Sequence, residues 1–168
     1  MILKKFLMDN HIQDSCLSSI NLGLFYNNEL VSLMTFGKRS ILNNIEYELL
    51  RFCNKKNINV IGGASKLFSY FIKNQNLKKI ISFSNNDLSD GSFYKLLGFR
   101  KINYSINYWW AKDGIKYHRS NFMKHKLVKQ GYDENKSEFE IMNERKYFRI
   151  YGTGNLKYVK IFPNLNKN

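Results

Sequence analysis

Apolar positions along the chain recur at two spacings, and the switches between them lay out the elements. Ile2, Leu3, Phe6 and Leu7 fall at helical spacing, so residues 2–10 read as a short opening helix. Over 20–26 the pattern becomes alternation, with Ile20, Leu22, Leu24 and Tyr26 on one face of a strand. Asn27-Asn28 supplies a turn, and 29–37 returns as the hairpin partner. Residues 38–45, KRSILNNI, read as a polar, basic loop. EYELLRFC (46–53) is apolar enough for a central strand covered on both faces. Leu67, Phe68, Phe71 and Ile72 then form the buried stripe of a helix that starts near Ala64. KIISFS (79–84) gives a fourth strand. The helix after it places Phe93, Leu96 and Leu97 on one face, with Ser89 or Asp90 as N-cap and Gly98 as its stop.

Beyond residue 100 the pattern is less regular. INYSINYWW (102–110) reads as a strand ending at a Lys112-Asp113-Gly114 turn, from which IKYHRSNFMKHKLV returns. Ser137 and Glu140 form a capping box ahead of a short helix. YFRIY, GTGN and LKYVKIF read as a C-terminal β-hairpin. At 168 residues, one domain is the economical reading: residues 1–168, with a core of about 20–110 and an extension over 100–162.

Composition narrows the class. With 43% hydrophobic and 15% aromatic residues the chain is not generally disordered. No apolar run approaches membrane-spanning length, so no membrane partner and a cytoplasmic location are expected, the host cytoplasm if the chain is phage-encoded. Cys16 and Cys53 make neither a disulfide framework nor a C-x-x-C, and Cys53 reads as a small buried residue. The formal net charge of +14 favours a polyanionic partner. Lysine- and asparagine-rich composition can follow from an A/T-rich coding sequence, so placement is the better guide.

Placement points to 100–130. Arg100, Lys101, Lys112, Lys116, Arg119, Lys124, Lys126 and Lys129 face a single acid there, Asp113, with Tyr104, Tyr108, Trp109, Trp110, Tyr117 and Phe122 interleaved. Cations neutralise phosphates and aromatic rings stack on bases, so Tyr108, Trp109, Lys116, His118, Arg119, Lys124 and Lys126, with Lys38 and Arg39, are the candidate nucleic-acid contacts and DNA the expected partner. Trp109 and Trp110 point to opposite faces of a strand, so one of them is free at most. His118 and His125 lack the carboxylate and ligand spacing of a nuclease metal site, and no metal is expected.

The candidate chemistry lies between Glu46 and Phe99. Backbone N–H groups at a helix start suit a pyrophosphate, and Gly62-Gly63-Ala64 lets the chain approach a ligand closely, with Lys66 adding a charge. The G-x-x-x-x-G-K-[ST] spacing of a P-loop is absent. RFCNKKNINVIGGASKL resembles the strand end and pyrophosphate loop of the GNAT acyltransferases, although Ile58 or Asn59 stands where that loop opens on a basic or amide residue. ISFSNNDLSDGSFYKLLGF resembles the family's second block, in which a Tyr precedes a closing Gly-Phe. The resemblance covers about 20–105. It implies an α+β fold with a mixed, mostly antiparallel central sheet flanked by helices, extended here by the C-terminal hairpin. It also implies acetyl-CoA or a related acyl-CoA as cofactor, held by Ile61, Gly62, Gly63, Ala64, Ser65 and Lys66, and Tyr94 as the acid for a leaving thiolate. Packing against Phe93 is the alternative role for Tyr94.

A narrower resemblance, carried by Asn10-His11, Glu48-Leu49-Leu50-Arg51, Gly63-Ala64-Ser65, Ser82-Phe83-Ser84, Tyr108-Trp109, 119–127 and RIYGTGNLKYVK, is to the Mom-like phage branch, which modifies adenine in DNA. It extends to the C-terminal module of some phage homing endonucleases. It implies a base-modifying enzyme with His11, Ser84, Asn85 and Asp87 near the chemistry. Asn85 stands where that branch has Asp, and an amide is no base. Either Asp87 substitutes or the chemistry is altered or lost, leaving a DNA-binding module. An acetyltransferase of a small amine or protein is the other alternative.

Overall fold

The computed structural model describes residues 2–41 and 44–163. The elements are α1 (Ile2–Asn10), β1 (Ile20–Tyr26), β2 (Glu29–Ile41), β3 (Asn44–Asn54), α2 (Gly63–Asn74), β4 (Lys79–Asn85), α3 (Ser92–Leu96) and β5 (Arg100–Ser105). They continue with β6 (Tyr108–Lys112), β7 (Ile115–His118), a single 3-10 turn (Arg119–Phe122), α4 (Lys124–Lys129), α5 (Glu138–Glu144), β8 (Phe148–Tyr151) and β9 (Asn155–Ile161). Two compact units result: residues 1–84, 89–103 and 156–168, and residues 85–88 with 104–155. These borders differ from the expected core and extension, because 156–161 returns to the first unit.

The first unit holds a six-stranded sheet in the order β1-β2-β3-β4-β9-β5. Asn27 and Asn28, with φ of 47° and 62°, make the tight turn of the β1–β2 hairpin. β2 and β3 pair antiparallel, β3 and β4 parallel. On one face α2 and α3 close the main core, in which Phe36 stacks on Phe71 at 3.6 Å and Phe71 meets the edge of Tyr47. A smaller cluster joins Leu7 of α1 to Leu33 and Cys53, so β3 is covered from both sides, and burial pushes the Cys53 thiol up to about 11. In the second unit β7-β6-β8 form a three-stranded sheet that packs Trp110 against Leu127 of α4 and Ile141 and Met142 of α5. The Ser137–Glu140 capping box starts α5.

Several expectations are corrected. The basic loop is largely strand: Lys38 pairs with Tyr47 and Arg39 with Glu46, and Arg39 bonds Glu48 at 3.2 Å. Such cross-strand ion pairs let polar residues extend a ladder. Residues 42 and 43 of that expected loop lie outside the described residues. A bulge between Leu24 and Phe25 shifts the end of β1, and Tyr26 is exposed. α3 is five residues long and turns Phe93 inward, while Leu96 is 73% exposed. Its N-cap is Gly91, not Ser89 or Asp90, whose oxygens accept the N–H groups of Gly91 and Ser92. The strand expected over 102–110 breaks after Ser105 because Asn107 turns its carbonyl and side chain to Gly152 and Gly154. The C-terminal hairpin does not form. β8 pairs with β6, whereas β9 inserts between β4 and β5.

That insertion places the Tyr158 hydroxyl directly against Gly91, which adopts φ 81°. A Cβ there would overlap the phenol, so Gly91→Ala should cost roughly 2 kcal/mol or more and lower Tm by about 4–8 °C. Gly62, also at positive φ but with open space around it, should lose less on the same substitution. Thermal melts compare them, and equal losses would contradict the close approach.

Candidate active site

The site is built by one inserted residue in β3. Thr35 pairs with Arg51 and Phe36 with Leu49, so Leu50 has no partner on β2 and forms a β-bulge. A bulge bends its strand and raises the local twist. The effect shows on the other edge of β3, which pairs with β4 only through Tyr47–Ile80, Glu48–Ile81 and Leu49–Ser82. At that last pair the Ser82 hydroxyl donates to the Leu49 carbonyl at 2.6 Å. The Leu50 carbonyl turns instead to the Arg51 guanidinium, at 2.8 Å. Among the described residues β3 runs on to Asn54 and β4 to Asn85 without further mutual pairing. Two parallel strands thus open into a fork at their C-terminal ends.

Three features meet at that end of the sheet. Tyr94, from α3, donates its hydroxyl to the Phe83 carbonyl on β4 at 2.9 Å and stacks on Tyr158 at 4.4 Å. Burial is the main cause that holds its phenol above the ordinary value of 10.0, with the Ser82 hydroxyl pulling the other way. Ser84 is buried, and its Oγ has no hydrogen-bond partner. The loop leaving β3 ends in the glycine turn that starts α2. Gly62 takes φ 71°, Gly63 donates to the Val60 carbonyl at 3.1 Å, and the first intrahelical bond is Lys66 N–H to Gly62 O at 2.9 Å. The N–H groups of Ala64 and Ser65 therefore lack acceptors within the helix, as the geometry of a helix start requires. Ile61, Ser65 and Lys66 are exposed around this turn, and Ala64 packs on the core.

Glu48 is a carboxylate beside the fork that was not among the candidate site residues read from the sequence. It occupies the register step before the fork, is 21% exposed at its side chain, pairs with Arg39 and acts electrostatically on Tyr94. Only the register of β3 against β4 marks it. His11 lies at the end of α1, where its Nδ1 accepts the Gln13 N–H at 3.0 Å; burial and then the nearby Arg51 lower its pKa.

Asn85 and Asp87 belong to the second unit and are engaged there. The Asn85 carboxamide accepts the Asp87 N–H at 2.9 Å, and the Asp87 carboxylate accepts the Thr153 hydroxyl at 2.7 Å. The neighbouring Asn86 bonds the carbonyls of Thr153 and Gly154. This segment is pinned to GTGN by complementary hydrogen bonds, which gives both side chains a fold role.

The basic–aromatic block is also largely satisfied from within. Tyr108 donates to Glu138 at 2.6 Å, Trp110 Nε1 does so at 3.3 Å, and Arg119 pairs with the same carboxylate at 3.5 Å. Arg119 and Arg149 stack over Tyr108, whose phenol is raised by burial and by the bond to Glu138. His118 caps the 3-10 turn, accepting the Ser120 N–H, and Lys126 donates to the Ser120 carbonyl at 2.8 Å. Lys124 opens α4 and is exposed, and the Lys38 backbone bonds Ser19. Trp109 is the half-exposed member of its pair and carries Lys116 over its ring at 3.7 Å, while Trp110 is fully buried. Tyr108 is thus not a free stacking surface. Among the described residues no three His, Cys, Asp or Glu side chains converge to hold a metal, and no helix is long and apolar enough to cross a membrane.

No protein-family model and no curated protein matches the chain. Solved structures do. The ribosomal-protein-S18-alanine N-acetyltransferase of Escherichia coli superposes with a TM-score of 0.57 at 11% identity, over 99% of this chain and 89% of that one. The fold is that of the GNAT acetyltransferases. An acetyltransferase of Bacillus subtilis in complex with CoA aligns over 96% of this chain and 83% of its own at 14% identity, with a TM-score of 0.48. In the GNAT frame, the fork, Tyr94 and the glycine turn occupy one end of the first unit's sheet.

The raised phenol gives a direct check. Below its ordinary value Tyr94 is neutral in both folded and unfolded chains. As pH rises past that value the unfolded chain loses the proton first, so this residue's contribution to stability falls. The ultraviolet titration difference between the parent chain and Tyr94→Phe should have its midpoint above pH 10.0. A midpoint at or below it would contradict the burial.

Proposed function

We propose that this chain is an N-acyltransferase that draws its acyl group from acetyl-CoA or a related acyl-CoA. The observation that carries the reading is the fork opened by Leu50, with the Tyr94 hydroxyl bonded to one wall. The residues fit such a cofactor. Gly62 leaves open space where a side chain would stand, a Cβ at Gly63 would come within 2.9 Å of Val60, and Ser84 Oγ is a buried polar atom without a partner.

Ala64 and Ser65 would offer backbone N–H groups to the pyrophosphate, with Ile61, Gly62 and Gly63 shaping the approach and Lys66 adding charge. When bound, the cofactor supplies an acyl carbon activated as a thioester. Tyr94 is protonated at neutral pH, as any phenol is, and burial moves it further in that direction, so Oη holds a proton that it can give to a departing sulfur. Ser84 Oγ can donate to an oxygen on which negative charge develops. Glu48 is the carboxylate available to take a proton from the incoming amine, and Arg39 fixes its position. Asp87, engaged by Thr153, is not needed in this scheme.

Two classes of acceptor follow. The superposed E. coli enzyme acts on an alanine of ribosomal protein S18, and a protein or small-molecule amine suits a GNAT fold. The net charge of +14 favours the second class, the exocyclic amine of a DNA base, and the Mom-like resemblance makes adenine the first to test. A catalytically silent DNA-binding module is the remaining reading.

Tyr94→Phe should lower kcat about a hundredfold with little change in KM or in acetyl-CoA affinity, measured by thiol release and calorimetry. Unchanged kcat would remove Tyr94 from the chemistry, and a parent chain that binds no acetyl-CoA would sink the proposal. Mass spectrometry of nucleosides released from DNA, and of an amine-bearing peptide, after the DNA or the peptide has been incubated with chain and acetyl-CoA, separates the acceptors. An added acyl mass on deoxyadenosine is the expected result, and acylation of the peptide alone would reassign the acceptor.

A further inference from the structure

Strand β8 is built inside out. An antiparallel sheet with one face on a core ordinarily turns apolar residues inward and polar ones to water. In β8 the inward residue is Arg149, whose Nε is buried and whose guanidinium lies 4.6 Å from Tyr108, 5.0 Å from Trp110 and 4.6 Å from Phe139. The outward residues are Phe148 and Ile150, 67% and 46% exposed.

Register extends this inversion into a face. Trp109 lies between Ile150 and His118, and Ala111 between Phe148 and Lys116. Period-two alternation puts all six on the side of the sheet away from α4 and α5. The result is a half-exposed to exposed apolar strip of Trp109, Ala111, Phe148 and Ile150, bordered by Lys116 and His118. The unit's acids lie elsewhere: Glu138, Glu140 and Glu144 on α5, Asp133 and Glu134 before it, Asp113 at the hairpin tip, and Asp87 at Thr153. A contiguous apolar patch of this kind marks an interaction surface.

Charge selects the occupant. A second copy of a chain with formal charge +14 would bring repulsion to a face that already carries Lys116. A polyanion with planar apolar groups meets both halves of the surface. Its rings can stack on Phe148 and, as the Lys116 ammonium now 3.7 Å over the ring shifts to a phosphate, on Trp109, with His118 beside them. A duplex hides its ring faces; a single strand presents them. We propose that the open face of β7-β6-β8 is a platform for single-stranded nucleic acid. The proposal rests on the nucleic-acid reading of the acceptor and goes beyond it by naming the surface and the strandedness.

Because Trp110 is fully buried and Trp109 half exposed, tryptophan fluorescence reports this face. The full chain is titrated with oligothymidylate and with a matched duplex at low and moderate salt. Quenching by the single strand is expected, with an affinity that falls as salt rises. Trp109→Ala and Phe148→Glu, with binding of labelled oligonucleotide read by anisotropy, should each weaken it roughly tenfold while acetyl-CoA affinity is unchanged. If Trp109→Ala loses its circular dichroism signature, Lys116→Glu on the same face carries the test. Variants that bind the single strand as the parent does would overturn the platform and leave the nucleic-acid acceptor standing. Tighter binding of the duplex would overturn the strandedness. A parent chain that binds neither at low salt would remove both readings.

Discussion

One inserted residue, Leu50, decides how long β3 stays with β4. Parallel strands hold each other through evenly spaced backbone bonds, and the ladder here ends at Leu49–Ser82, where the bulge begins. Side chains hold the break in place. The Ser82 hydroxyl takes the Leu49 carbonyl, the Arg51 guanidinium takes that of Leu50, and Leu50 packs on Gly37, where a side chain would come within 3.1 Å. Phe36, Phe71 and Tyr47 pack together in the apolar core on which these strands lie. Tyr94 then has a fixed acceptor at Phe83 and a fixed ring at Tyr158. The candidate chemistry is a consequence of a strand defect secured by packing.

The second unit shows a different balance. Its cations look like a free basic surface in sequence, but α5 returns a carboxylate, Glu138, to Tyr108, Trp110 and Arg119 together. Buried and half-buried aromatic rings take up the guanidinium of Arg149, and others take up that of Arg145. Much of the charge there is consumed in holding a small sheet to two short helices. The face of β7-β6-β8 turned away from those helices is an apolar strip bordered by Lys116 and His118.

Elements set by local rules were legible in the sequence. The helical stripe of α2, the Asn27-Asn28 turn, the Gly98 stop at φ 77° and the Ser137–Glu140 box all follow from neighbours a few residues apart. The glycine turn was legible as a helix start, and Tyr94 as part of the block closed by Gly98-Phe99, because a short motif carries each. What escaped depends on partners distant in sequence. β9 joins the six-stranded sheet and not β8 because Tyr158 and Leu156 complete the main core. Asp87 is occupied by Thr153, 66 positions away. The bulge at Leu50 is visible only in register against β2, and Glu48 gains meaning only from that register.

The central claim is that the fork and the glycine turn act together as a cofactor site. Amide hydrogen exchange with and without acetyl-CoA tests it most directly, because exchange reports each backbone N–H separately. The account predicts added protection at Ala64 and Ser65 together with the diverging segments of β3 and β4 beyond Leu49 and Ser82. Protection confined to other segments, or no change at any amide under saturating acetyl-CoA, would contradict it.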